Sequence, residues 1–356
     1  MLVSDFPPAM IRAFGFLFGA LWGSFFNVAI YRWPREMSVV SPPSHCPSCG
    51  AAVPWYRNLP ILGYVLLRGK AACCGAQLTP RYFLVELLSG ALGLALAERF
   101  IVDMGPTASL SESAVSAGLF FAFVGGLVVA TFVDLEWMEI PDEVSIGGTA
   151  LGLATVTLRE PGPDAVEAAL GAGGGFLMVQ LLLVWAWERL TGRRGMGEGD
   201  SKLLMFIGAF LGWKGALFAL VGGAFQGVIV SAIVVGAGGR MKGGEHSQPA
   251  AEGDPDPDAP EAEEDDQEDG EEGDDPEGAS NDLLVADGTR AVLDSGGSRL
   301  IIQDDRGRLL WEYIAASEDD SPLRRPVPFG PFLALGALEF LFFGEPLIDL
   351  YLRLFD

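Results

Sequence analysis

A chain of 356 residues would ordinarily form two soluble domains, but half of its residues are apolar, its mean hydropathy is +0.33 and it has two histidines. This composition excludes a single soluble globular domain and indicates a membrane protein. The net charge of −24 is concentrated: residues 243–325 hold 26 of the 47 acidic and 6 of the 23 basic residues, so the remainder carries only −4. No basic face is left for nucleic acid.

In chain order, four stretches without any charge, 13–31, 113–133, 168–187 and 215–239, run 19 to 25 residues each, enough to cross a hydrocarbon core of about 30 Å. The first lacks an Ala-x-Ala cleavage pattern and is read as a permanent span. Shorter or interrupted candidates are 82–98, broken by Glu86; 144–158; 203–213; and 329–350, broken by Glu339 and Glu345. The expected fold is therefore an all-α polytopic membrane protein of about eight transmembrane helices. If the loop after span one is cytoplasmic, 18 basic residues, Arg193 and Arg194 among them, fall inside against Arg12, Arg99, Arg159, Lys214 and Arg353 outside, and both termini face outward.

The expected parts are a first transmembrane helix (1–32), a cysteine-rich cytoplasmic loop (33–81), a membrane domain of helices two to seven (82–242), an acidic insert (243–325) and a last transmembrane helix (326–356). Residues 245–280 alternate acidic runs with Pro, Gly and Ala and should be disordered. The apolar runs Leu283-Leu284-Val285, Leu300-Ile301-Ile302 and Leu309-Leu310-Trp311, separated by glycine-containing turns, suggest a small β-hairpin module.

Two polar islands carry the candidate chemistry. One is Phe132-Val133-Asp134-Leu135-Glu136-Trp137-Met138-Glu139-Ile140-Pro141-Asp142, the other Met196-Gly197-Glu198-Gly199-Asp200-Ser201-Lys202. Two spans separate them, and an even number of crossings returns the chain to the same side, so Asp134 and Asp200 reach one depth. Two carboxylates close together near a low dielectric cannot both ionise easily; one keeps a proton as general acid while the other activates water. Gly197 and Gly199, on either side of Glu198, permit positive φ and a close approach of substrate backbone. Glu136, Glu139 and Glu198 are expected to be solvated charges.

The run Met196-Gly197-Glu198-Gly199-Asp200-Ser201-Lys202-Leu203-Leu204, followed by Ile207-Gly208-Ala209-Phe210-Leu211-Gly212-Trp213, resembles the type IV prepilin peptidase family, bifunctional aspartic peptidases and N-methyltransferases. Gly23-Ser24-Phe25-Phe26-Asn27, Cys46-Pro47-Ser48-Cys49-Gly50, Pro80-Arg81-Tyr82 with Glu86, and Val133-Asp134 with Ile140-Pro141-Asp142 agree in order. The resemblance covers 13–242 and resumes at Pro328-Phe329-Gly330-Pro331. It implies Asp134 and Asp200 as the catalytic pair, with Gly197, Gly199 and Lys202 in the active-site loop. It further implies prepilin or pseudopilin precursors with a short basic leader as partners, cleavage at the cytoplasmic face of a bacterial inner membrane, and methylation of the new N-terminal residue, usually phenylalanine, from S-adenosylmethionine. Glu86 is the candidate residue for the methylation site.

Cys46, Cys49, Cys73 and Cys74 all fall in one polar loop and read as a zinc site rather than a disulfide framework. Alignment on Gly75 and Arg81 would place the second pair at 71 and 74, where this chain has Ala71 and, instead, Cys73 next to Cys74. Adjacent cysteines require a strained backbone to share one ion, so His45 or water is the expected substitute. This departure leaves open a peptidase that no longer methylates. A proton-coupled transporter with intramembrane carboxylates is the alternative of another class, and the sequence leaves the oligomeric state open.

Overall fold

The computed structural model describes residues 1–46, 48–54, 57–192, 196–236, 282–285, 289–293, 299–303, 309–314 and 327–353. The chain divides into two compact units, Met1–Gly244 with Val327–Asp356, and Glu245–Pro326. The stretch 245–280, with its expected disorder, lies outside the described residues, as do Arg193 and Arg194 of the expected inner-face basic set.

The first unit is helical. In chain order it contains α1 (Pro8–Arg32), a short α2 (Leu62–Leu66), α3 (Arg81–Ala97), α4 (Leu110–Trp137), α5 (Asp142–Ala154), α6 (Ala165–Met178), α7 (Trp187–Thr191), α8 (Glu198–Gly236) and α9 (Gly330–Arg353). A π-helical stretch, Val179–Ala186, joins α6 to α7 into one continuous rod. Helices occupy all eight stretches read from the sequence, but four are long and apolar enough to cross a membrane: Pro8–Arg35, Leu110–Trp137, Ala165–Thr191 and Glu198–Val234. The others are shorter or carry charges, as with the 13-residue α5.

Between apolar helices lipid competes equally for apolar side chains, so association rests on close approach of small residues. The seam of α1 with α3 shows this. Gly15, Gly19 and Gly23 recur every fourth residue along α1; a Cβ on Gly15 would lie 2.7 Å from the Gly93 carbonyl oxygen, and one on Gly23 would lie 2.8 Å from the Cα of Glu86. The centre is aromatic instead. Phe123 of α4 stacks on Phe210 of α8 at 4.7 Å and meets Phe206 edge-on at 5.1 Å, a geometry favoured by ring quadrupoles. This contact fixes α4 against the first part of α8.

α8 is two helices across a break. Gly212 has φ 71° and ψ −178°, a conformation in which a side chain would be strained, and the break leaves the last carbonyls of the preceding segment without helical partners. Arg159, counted from the sequence as a loop charge of the outer side, is 1% exposed and supplies them. Its Nη1 donates to Phe210 O at 2.8 Å and its Nη2 to Ala209 O at 3.0 Å and Gly152 O at 2.8 Å. The guanidinium lies 4.5 Å from the Phe210 ring centre. Burial pushes it down to about 10, so it remains charged at neutral pH and complements the negative helix end.

The second unit holds a four-stranded antiparallel sheet in the order β1 (Asp282–Val285), β2 (Thr289–Leu293), β3 (Arg299–Gln303) and β4 (Leu309–Ile314). The register pairs Leu284 with Arg290, Ala291 with Ile302 and Ile302 with Trp311, with an irregularity after Ile302. β2 was not among the runs read from the sequence, because Arg290 interrupts its apolar character.

Replacing Arg159 by methionine removes the donors and leaves buried carbonyls unpaired. The expected result is a lower melting temperature of the detergent-solubilised protein, from a loss of about 1–3 kcal/mol per orphaned group. Unchanged melting of Arg159→Met would contradict the capping role.

Candidate active site and thiol cluster

α4 ends at the left-handed Met138 (φ 56°), whose N–H still donates to Asp134 O at 2.9 Å. The chain then turns through Ile140 and starts α5 behind Pro141, whose fixed φ suits a helix entry. Ile140 is buried against the first turn of α8 at Gly199, where a Cβ would lie 3.2 Å from Ile140 Cβ. The end of α4, which carries Asp134, and the start of α8, which carries Asp200, are thereby drawn together. The two aspartates are 6% and 8% exposed.

Each carboxylate is held by a backbone N–H. Gly330, the first residue of α9, donates to Asp134 Oδ2 at 2.8 Å, and Gly197 donates to Asp200 Oδ2 at 3.2 Å. A side chain at 330 would put its Cβ 2.8 Å from that same Asp134 oxygen. The pair thus sits at the N-terminal ends of both α8 and α9, where the helix dipoles favour negative charge. Gly330 was legible in the sequence only as part of a short Pro-Phe-Gly-Pro run, and nothing in that run signals a partner 196 residues away.

Several expectations are corrected. Gly197 and Gly199 do not adopt positive φ; Gly199 lies within helix α8, and its lack of a side chain serves the approach of Ile140 instead. Lys202 stands on α8, not in a loop, and its Nζ bonds Asp142 Oδ1 at 2.6 Å. Glu136 is not a free solvated charge: both its oxygens receive Arg81 Nη1 at 2.5 Å. That pair links the start of α3 to the end of α4. Glu139, Asp142, Glu143 and Glu198 are exposed.

The cysteine loop folds as two similar knuckles. Cys46 N–H donates to Ala51 O and Gly50 N–H to Cys46 O, with Gly50 at φ 69°; Ala71 N–H donates to Ala76 O and Gly75 N–H to Ala71 O, with Gly75 at φ 74°. Ala71 occupies in the second knuckle the place of Cys46 in the first. The thiols nevertheless converge. All four Sγ atoms lie within 4.8 Å of one another, with Cys46 to Cys74 at 3.8 Å, Cys49 to Cys73 at 3.3 Å and Cys73 to Cys74 at 3.9 Å. Four sulfurs about 2.3 Å from a single ion stand roughly 3.8 Å apart, so the donor set fits a tetrahedral metal. His45, the expected substitute ligand, is not in the cluster; its Nδ1 lies 3.2 Å from Pro43 O. Backbone hydrogen bonds from Ser48 and Cys49 pull the Cys46 thiol down to about 6, whereas its contacts with Cys49 and Cys46 push Cys73 up to about 12.

Glu86 lies elsewhere, on α3, 8% exposed, its Oε2 accepting the Ile61 N–H at 2.7 Å. Asn27 of α1 donates from Nδ2 to Tyr82 O at 3.0 Å and Gly23 O at 3.3 Å.

Apolar helices long enough to cross a membrane, two buried carboxylates at converging helix ends and a cluster of four thiols together describe an integral membrane protein. The chain belongs to the type IV leader peptidase family. Residues 17–100 match the bacterial peptidase A24 N-terminal domain and residues 121–232 the type IV leader peptidase family itself. A prepilin leader peptidase/N-methyltransferase of Myxococcus xanthus is 33% identical over 348 residues, covering 94% of this chain and 91% of that protein. Proteins of the same description from Klebsiella pneumoniae and Aeromonas hydrophila are each 34% identical, over 58% and 60% of this chain and 88% and 79% of their own lengths. No solved structure matches.

Titration of the reduced protein with Co2+ is expected to give thiolate-to-metal charge-transfer bands saturating at about one ion per chain. Cys46→Ser should weaken binding sharply. Retention of the full bands by Cys73→Ser would show that Cys73 is not a ligand.

Proposed function

We propose that the protein cleaves the short basic leader of prepilin or pseudopilin precursors and then methylates the new N-terminus. The observation that supports the first step is the burial of Asp134 and Asp200 at the ends of α4 and α8, which Ile140 and Gly199 draw together. The ionised aspartate takes a proton from water as the water oxygen attacks the scissile carbonyl carbon. Its protonated partner gives a proton to the carbonyl oxygen. As the resulting diol collapses, the carbon–nitrogen bond breaks and the leaving amine takes up a proton. Negative charge on either carboxylate is favoured by the Gly330 and Gly197 N–H groups. Exposed Glu139, Asp142, Glu143 and Glu198 make the surrounding surface acidic, which suits a basic leader.

The reading includes eight helices crossing a bacterial inner membrane, with the aspartate pair at the cytoplasmic face. Position argues against the transporter alternative. Asp134 is three residues from the end of α4 and Asp200 two from the start of α8, whereas a proton-carrying pair would sit near the bilayer midplane.

Methylation draws its support from the relatives' shared description as N-methyltransferases, and the convergence of four thiols favours it over a peptidase that no longer methylates. Zinc is the ion suited to four thiolates in a reducing compartment, and it would staple a loop with little apolar core of its own. S-adenosylmethionine is the methyl donor this chemistry calls for, and Glu86 belongs to the site that uses it.

Asp134→Asn and Asp200→Asn are each expected to lower leader cleavage by at least about 10³-fold while the protein still inserts, because the pair acts as a unit. Normal precursor processing by either variant would sink the assignment. Gly330→Ala should lower cleavage with both aspartates still in the sequence, since its Cβ, 2.8 Å from Asp134 Oδ2, displaces that carboxylate. Removal of residues 245–280, which match none of the family's motifs, is expected to leave turnover at saturating precursor unchanged; a large fall independent of salt would show that the insert shapes the site.

A further inference from the structure

A cavity of about 220 Å3 lies between the cysteine loop and the α1–α3 pair. Val28, Leu59, Leu67 and Leu78 give it apolar walls, and Asn27 and Glu86 line it as well. Glu86 is the only carboxylate among its described lining residues. Glu86 Oε2 accepts a hydrogen bond from a neutral donor, the Ile61 N–H at 2.7 Å, and Ser24 also lines the cavity.

The Ile61 N–H reaches Glu86 through a costly turn. Ile61 has φ 62° and ψ −52°, and the Leu62 N–H donates back to Pro60 O at 2.5 Å. This is a γ-turn of the rare, strained hand, at a β-branched residue that seldom takes positive φ. Strain of this kind persists where surrounding structure enforces it, and it clusters at sites of function. Its effect here is to aim one N–H at one carboxylate oxygen. Asn27, pinned through Nδ2 by two carbonyls, is left with a buried Oδ1 that has no partner, a deficit that an incoming donor would relieve.

We infer that this cavity receives the α-amino group released by leader cleavage, and that Glu86 takes the proton that group must lose before it can be methylated. The inference rests on the methylation reading above and assigns the acceptor end of that site. A free α-ammonium has a pKa of about 7.7–8.0 and, while protonated, has no lone pair with which to attack. The Glu86 carboxylate forms an O–H bond as an N–H bond of the ammonium breaks. The nitrogen lone pair then bonds to the methyl carbon of S-adenosylmethionine, and the C–S bond breaks with its electron pair left on sulfur. The products are the methylammonium N-terminus, S-adenosylhomocysteine and a proton that leaves Glu86 for water. Apolar walls accommodate a phenylalanine side chain beside the amine.

Other ionisable groups also line the cavity: Tyr31 and Arg32 from α1, His45, Cys46, Arg57, Tyr64 and Cys73 from the loop and α2, and Tyr82 from α3. Arg32 is engaged by Ser38 O at 2.8 Å and Pro42 O at 2.7 Å, and the thiols belong to the cluster described above.

The test uses the purified full chain, a precursor and labelled S-adenosylmethionine, with cleavage and methylation followed separately from about pH 6.5 to about pH 9.5. Glu86→Gln should still cleave, which checks its folding, but methylate about 10²-fold more slowly at the acid end. The deficit should close at the alkaline end, where the amine loses its proton unaided, and Glu86→Asp should restore part of the rate. A second readout needs no turnover: calorimetric binding of a processed peptide with a free N-terminus against its N-acetylated form. The wild type should prefer the free amine about tenfold, Glu86→Gln should lose that preference and Asn27→Leu should reduce it. Wild-type methylation by Glu86→Gln at about pH 6.5, or a deficit equal at every pH, would overturn the proton-transfer role. If wild type itself transfers no methyl group, the methylation reading fails, and the binding measurement decides the site alone: loss of amine preference in Glu86→Gln upholds it, equal binding overturns it.

Discussion

The hydrogen bond from Gly330 N–H to Asp134 Oδ2 joins residues 196 positions apart, and much of the architecture is what allows it to form. Removing a carboxylate from water is costly unless its oxygens find donors. For Asp134 that donor arrives at the head of α9, so α9 must return against α4 and α8. The return is made possible by the small residues on its path: Gly336 lies where a Cβ would meet Ala219 of α8 at 3.0 Å, and Gly223 where one would meet the Phe332 backbone at 3.0 Å. The segment between α8 and α9 can be long and acidic because both of its anchors are set by this packing.

The same economy runs through the other half of the unit. Arg81 ties α3 to Glu136 at the end of α4, and Arg35 lies over the rings of Tyr31 at 4.0 Å and Trp137 at 4.6 Å. These contacts join the helices that carry Asn27 and Glu86 to the helix that carries Asp134. Two arginines, Arg35 just after α1 and Arg81 at the start of α3, thus hold the end of α4 against the helices that carry Asn27 and Glu86.

Helix positions were legible in the sequence because uncharged runs of about 20 residues have one dominant explanation. That Asp134 and Asp200 are both buried, near the end of α4 and the start of α8, agrees with the two polar islands picked out in the sequence. What could not be read was local. The role of Gly199 depends on Ile140 arriving from another helix, and that of Gly330 on Asp134; glycine in a polar run signals conformational freedom first, and close approach leaves no separate mark. The convergence of four thiols despite Ala71 depends on the turn geometry of two knuckles, which spacing alone does not specify. Arg159 looked like any loop arginine, because its partners are backbone carbonyls, present in every sequence and visible in none.

The break at Gly212 bears on the bilayer as much as on the protein. It leaves the first segment of α8, residues 198–211, about 21 Å long, and α5 at 13 residues is about 20 Å. Both fall some 10 Å short of an average hydrocarbon core, and both flank the carboxylate pair. Where such short helices cross, the lipid around them is drawn thin rather than the helices being stretched. Beside helices of this length, thinned lipid would bring water toward Asp134 and Asp200 by the shape of the membrane rather than by a channel through the protein.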